Sequence, residues 1–190
     1  FSTDTFEGVI NINPNNFPAG GVLNLTLGDT GKVAQLDEDA SFEWDIKIIT
    51  YRTGQGGRPG IFLFGDVDGA TSTKALNVST HSNVGLGNTG FDGFTSVTQE
   101  MQNDLVADGV FGFDPETDVD DSGKPDRALL EAAYQNLVIG DRIVNTDEAE
   151  QPVFLVQSQG GSLFKFQLIR RESGGQTFLR WSRFALDAIE

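Results

Sequence analysis

No cysteine occurs anywhere in this chain of 190 residues, and histidine and methionine occur once each. The first absence excludes disulfides, thiolate metal sites, iron–sulfur clusters, cysteine nucleophiles and covalently attached c-type haem. A single histidine, His81, excludes any two-histidine metal centre built within one chain. No apolar run approaches the roughly 18 residues that cross a bilayer as a helix. Basic residues are scarce too. Thirteen Lys and Arg stand against 28 Asp and Glu, a net charge of −15 and a pI near 4.2. Such a charge repels nucleic-acid phosphates and anionic membranes, so neither is expected as a partner. Nucleophile elbows, Walker loops, dinucleotide glycine fingerprints and His-Glu-x-x-His are missing. With no activated nucleophile or tuned acid–base pair to name, the expectation is a non-catalytic protein.

The length favours one domain over 1–190. Its acidity is uneven: residues 100–150 hold 14 of the 28 acids but only Lys124, Arg127 and Arg142, a local net charge of −11. High Asp, few Lys and 23 Gly suit an extracellular or periplasmic protein from a salty setting. The first residue is Phe1 rather than Met, which is expected of a processed chain that has lost an export signal.

What is present reads mostly as strands separated by Gly, Asn and Asp turns. Residues 22–27 form a short strand closed by the turn Gly28-Asp29-Thr30-Gly31. In 42–48, Phe42, Trp44, Ile46 and Ile48 alternate with Glu43, Asp45 and Lys47, the pattern of a half-buried strand with its aromatic face inward. A glycine-rich bend over 54–60 leads into an apolar strand at 61–64. Residues 79–100 show no sustained periodicity and read as a long ordered loop. One helix is expected at 125–137, with Pro125 early and Leu129, Leu130, Ala133, Tyr134 and Leu137 forming a stripe. Residues 153–156, 163–171 and 177–185 form an antiparallel meander, joined at Gly160-Gly161 and at Ser173-Gly174-Gly175. The expected fold is all-β, mostly antiparallel, with one short helix. Trp44, Ile46, Phe164 and Phe166 are expected to be buried.

One acidic cluster imitates the start of a calcium loop. Asp118, Asp120, Ser122 and Asp126 put oxygens at positions one, three, five and nine, with Gly123 at six. The closing bidentate Glu belongs at position twelve, where Leu129 stands; Glu131 comes two residues late. The same residues equally make an acidic turn capping the helix that begins near Pro125.

Two regions of the chain carry a resemblance. Trp44-Asp45-Ile46, an aliphatic continuation, Arg52 and a glycine-rich bend resemble the Trp-Asp-Ile segment of HmuY-type haem-binding proteins. Residues 22–35 are similar to that family's entry hairpin. Phe154-Leu155-Val156, Phe164-Lys165-Phe166 and Gly174-Gly175-Gln176-Thr177-Phe178-Leu179-Arg180-Trp181 resemble its closing strands. The likeness covers about half of the chain and leaves 65–150 largely unmatched, which implies a family-divergent, acidic and glycine-rich insertion into the domain there. It implies an HmuY-like β fold, export, and in many members a lipoprotein anchor at the cell surface. It also implies capture of haem as the cofactor, for transfer to a TonB-dependent outer-membrane receptor.

Family members hold the iron between two histidines or two methionines from loops. Axial ligands in proteins are His, Met, Cys or Tyr, which leaves His81, Met101, Tyr51 and Tyr134 here. His81 and Met101 end the unmatched glycine-rich stretch, with Phe91 and Phe94 between them to line a porphyrin. Arg52, Arg58 and Lys74 are the nearest cations in sequence for the propionates. The alternative is a surface structural or adhesive β module that keeps the fold without haem and binds calcium at 118–126.

Overall fold

Among the described residues of the computed structural model, ten strands and one short helix form the regular structure. The structure describes residues 4–11, 19–28, 30–35, 44–52, 57–63, 72–79, 90–107, 121–122, 153–172 and 175–185. The strands are β1 (Thr5–Asn11), β2 (Ala19–Asn24), β3 (Lys32–Gln35), β4 (Ile46–Arg52), β5 (Gly57–Leu63), β6 (Lys74–Asn77), β7 (Val106–Ala107), β8 (Val153–Gln157), β9 (Leu163–Arg171) and β10 (Gln176–Arg183); α1 is Gln99–Asn103. They make two antiparallel sheets, a six-stranded one ordered β1-β10-β9-β8-β6-β7 and a four-stranded one ordered β3-β2-β4-β5. The expected all-β, mostly antiparallel architecture is what these residues adopt.

Strand alternation explains how the sheets face each other. The register aligns Phe6 with Trp181, Trp181 with Phe166, and Phe166 with Phe154, so four aromatic residues from four strands form one rung. Trp181, Phe166 and Phe154 of this rung belong to a buried cluster, with the partly buried Phe6 packed against it, that also takes Leu23, Ile46, Ile48 and Leu63 from the four-stranded sheet. The two sheets therefore bury one face each against a common core. Close approach requires a glycine at one point: a Cβ on Gly21 of β2 would lie 2.6 Å from the Ala34 carbonyl oxygen and 2.9 Å from Ile10. Trp181, at the centre of the rung, donates its Nε1–H to the Thr30 carbonyl at 3.0 Å. Along one side of the sandwich the Gln35 amide spans from β3 to β1, accepting from the Asn11 N–H at 3.2 Å and donating to the Val9 carbonyl at 3.5 Å.

The Trp44-Asp45 pair works as a bracket between elements. Asp45 is 2% exposed. Its Oδ2 accepts from the Leu25 N–H at 2.8 Å. Its Oδ1 accepts from the Gln159 N–H at 3.1 Å and, more weakly, from the Thr73 hydroxyl at 3.4 Å. Gln159 Nε2 in turn donates to the Trp44 carbonyl at 2.8 Å. One carboxylate thus ties the end of β2, the approach to β6 and the β8–β9 turn. A buried carboxylate is tolerated because its lone pairs are occupied.

Several expectations need correction. The meander holds, with β9 spanning the expected 163–171. The bend over 54–60 does not hold throughout, because Gly57–Leu63 pairs with β4, Pro59 lying opposite Thr50. β5 is an edge strand, where proline's missing N–H costs no ladder bond. Trp44 precedes its strand and is half-buried rather than buried, whereas Ile46, Phe164 and Phe166 are buried as expected. The stretch read as a loop to residue 100 closes with a turn at 90–94 and then α1. The helix expected at 125–137 lies outside the described residues.

Candidate functional site

The outer face of the six-stranded sheet, turned away from the shared core, carries a second apolar layer. On β8 all of Val153, Phe154, Leu155 and Val156 are buried, so this strand is apolar on both faces. Residues 90–105 supply the second layer. Phe91, Phe94, Val97, Met101 and Leu105 pack with Leu76, Val153, Leu155 and Phe184 into a second buried cluster. The segment is shaped locally by its own bonds. Gly93 and Phe94 donate to the Gly90 carbonyl at 3.1 and 3.2 Å, making a tight turn. Thr98 then caps α1, its hydroxyl accepting from the Met101 N–H at 3.3 Å. Phe94 meets Phe184 edge-on, with centroids 4.9 Å apart and planes at 68°.

A lysine fastens this segment to the sheet. Lys165 stands on β9, 8% exposed, and its Nζ donates to the carbonyls of Phe91 at 2.9 Å and Phe94 at 3.1 Å. The same ammonium lies 4.6 Å from the Phe91 ring centroid, and the Arg180 guanidinium lies 4.4 Å from it. Phe91 is therefore in contact with two cations, an arrangement that favours the negative face of the ring. Arg180 is steadied by Gln167, whose Oε1 accepts its Nε–H at 2.9 Å. Burial holds the Lys165 ammonium below the usual lysine range. The Asp92 carboxylate pulls it back up, and Arg180 pushes it further down.

Of the residues singled out in the sequence, Phe91, Phe94 and Met101 come together, each 1% exposed, in this second cluster. His81 lies outside the described residues; Ser79, two positions before it, is the last described residue on that side. Arg52 ends β4 and Arg58 lies in β5, both in the four-stranded sheet, so their strands are not those under the cluster; Lys74 opens β6, half-buried. Tyr51 is in β4, and Tyr134 lies outside the described residues. Of the calcium candidates, Ser122 is exposed beside Asp121 in a turn, while Asp118, Asp120 and Asp126 lie outside the described residues. Among the described residues, no three or more His, Cys, Asp or Glu side chains group to hold a metal ion.

Lys165 and Arg180 carry the electrostatics of this site, and alternation alone marks their positions as solvent-facing. The signal that finds them is on the neighbouring strand. The unbroken apolar run 153–156 requires a second covering layer, and β9 lies directly beside it. Where β1, β10 and the end of β9 meet lies a shallow cleft of about 260 Å³, in which Val9 is exposed and Arg170 lies 4.0 Å above the Phe178 ring. Among the described residues, no helix is long and apolar enough to cross a membrane. Compared with known families, curated proteins and solved structures, the chain finds no match.

Proposed function

We propose that this protein is an extracellular haem-binding protein of the HmuY type, which captures haem for delivery to an outer-membrane receptor. The observation that carries the reading is the convergence of Phe91, Phe94 and Met101 in one apolar cluster on the outer face of the six-stranded sheet. Val78 and Phe91, both members of that cluster, bracket His81 in the sequence. His81 follows Ser79 by two residues, a chain length of at most about 7 Å. Imidazole and thioether together suit haem iron, and aromatic rings supply apolar contact to a porphyrin at little entropic cost. The resemblance of Trp44-Asp45-Ile46 and of β8–β10 to the family's strands supports the same reading.

Haem, when bound, supplies the iron and the macrocycle. The chain's own residues would hold it, His81 and Met101 as axial ligands and Phe91 and Phe94 at its faces. Hemin titration followed at the Soret band tests this. A red-shifted band saturating at one equivalent, lost in His81→Ala, is expected. Absence of both a shift and saturation removes the reading.

A second reading, a surface structural or adhesive module without haem, draws on a specific observation. Phe91, Phe94 and Met101 are already fully packed against protein. In that reading the cluster is simply a second core, and 118–126 contributes calcium-dependent stability.

A further inference from the structure

We infer that residues 90–105 are a hinged cover over the outer face of the six-stranded sheet, which has to lift for Met101 to reach a ligand, and that Lys165 is its fastening. That the cover lifts for a ligand rests on the haem reading; its packing as a unit and its fastening by Lys165 do not.

The argument starts from exposure. Met101 is 1% exposed within a cluster of apolar side chains, so its sulfur cannot bond an external metal without movement of the segment that carries it. Moving α1 alone is not enough, because Phe91 and Phe94 are as deeply buried and belong to the same cluster. The cover must lift as a unit; the sheet side chains that hold its first turn are Lys165, through two hydrogen bonds, and Arg180, over the Phe91 ring. The two Lys165 bonds run to carbonyls of a single turn, at Phe91 and Phe94, and the lysine's contact with the Phe91 ring is to that same turn. All three interactions therefore form and break together. Ser182 is directly opposite Lys165 in the β9–β10 register and 0% exposed, and among the described residues its hydroxyl has no partner. A buried hydroxyl without a partner gains hydration when the cover lifts, which reduces the cost of opening.

The remainder of the fold stays intact on opening. The cover's cluster shares no residue with the core between the two sheets, which contains Trp181, Phe166 and Ile46. Release of 90–105 thus exposes one apolar face of a sheet whose other face remains buried.

The chain's single methionine makes the test direct, since peroxide oxidation read by peptide mass at Met101 reports opening at one atom. Lys165→Leu removes both donors and leaves the Phe91 and Phe94 carbonyls without their partner when the cover is closed. Oxidation of Met101 is expected to accelerate at least about tenfold, equivalent to 1.4 kcal/mol, while amides of β9 and β10 keep their exchange protection. An unchanged oxidation rate, or acceleration only in step with loss of protection in β9–β10, overturns the proposal. Should Lys165→Leu fail to fold, native-state hydrogen exchange on the wild-type chain decides. The Gln102 and Asp104 amides must open at lower free energy than the β9–β10 ladder, and exchange only through global unfolding overturns the cover. Hemin titrated into both chains separates this inference from the haem reading. Tighter binding to Lys165→Leu supports both. Faster Met101 oxidation with no hemin binding by either chain upholds the cover and removes haem.

Discussion

Replacing Asp45 by asparagine keeps the shape of the side chain and removes one acceptor, which isolates what the carboxylate does. Both oxygens are in use, Oδ2 by the Leu25 N–H at 2.8 Å and Oδ1 by the Gln159 N–H at 3.1 Å. An amide retains only one oxygen. Whichever way the new side chain is turned, its NH2 group faces a backbone N–H, and that donor is left unpaired in a site 2% exposed. Losing one charge-assisted bond costs about 1.5–3 kcal/mol, and the donor–donor contact adds to it. The expected loss is therefore about 3 kcal/mol, a large part of a typical stability of roughly 5–15 kcal/mol. For a chain of this size that lowers Tm by about 6–12 °C. Asp45→Ala abandons both donors and is expected to cost about 3–5 kcal/mol. Thr73→Val breaks only the 3.4 Å bond and should cost less than about 1 kcal/mol. Urea unfolding with a shared m-value gives all three numbers. An Asp45→Asn chain within about 0.5 kcal/mol of wild type would refute the idea that one carboxylate holds three elements together.

Three other outcomes are expected. Gly21→Ala should lose about 1–3 kcal/mol in denaturant unfolding, because the new methyl meets the Ala34 backbone oxygen at 2.6 Å and backbone cannot step aside; a neutral substitution would contradict the close approach. The folded chain binds the Lys165 proton less tightly than the unfolded chain does, since burial lowers its pKa from 10.5. Unfolding therefore takes up a proton between the lowered pKa and about 10.5, so stability rises with pH through that window and is lower below it. Asp92 and Arg180 are the charged groups acting on this lysine, and the neutral amine still donates to the two carbonyls. Lys165→Leu should remove the slope, and a wild-type stability that falls across the window through this group would invert the argument. For the second functional reading, calcium is expected to raise the melting temperature relative to chelator with roughly millimolar affinity, the closing Glu being misplaced. Micromolar affinity by calorimetry, or unchanged melting, would rule this out.

Alternation and turn chemistry made the C-terminal meander legible, because the inward positions Phe164, Phe166, Leu168, Leu179 and Trp181 belong to strands flanked by glycine turns. β1 is less visible. Phe6, Gly8 and Ile10 alternate with Thr5, Glu7 and Val9, but a glycine at an inward position weakens the pattern. β6 has four residues, too few for periodicity to speak. β5 is masked by its own Gly and Pro, which signal a bend unless the strand lies at an edge. At the candidate site, Phe91, Phe94 and Met101 were found by residue type, and the structure draws them together. Lys165 was not, because a charge between two aromatics in a strand ordinarily faces water. Its burial is a tertiary fact, produced by a segment about 70 residues away in sequence.

The pairing of β1 with β10 sets the order in which this molecule is able to fold. Thr5 lies opposite Ser182 and Asn11 opposite Gln176, so nearly the whole chain separates the two partners. Until Gln176–Arg183 has emerged from the ribosome, Ile10 has no sheet to join and the inner face of β9 lacks its neighbour. Closing so long a loop comes before most of its reward, which places such topologies among slow folders, on the order of milliseconds to seconds. A chain truncated within β10 should therefore remain an unfinished sheet with two uncovered edges, prone to join its neighbours rather than itself.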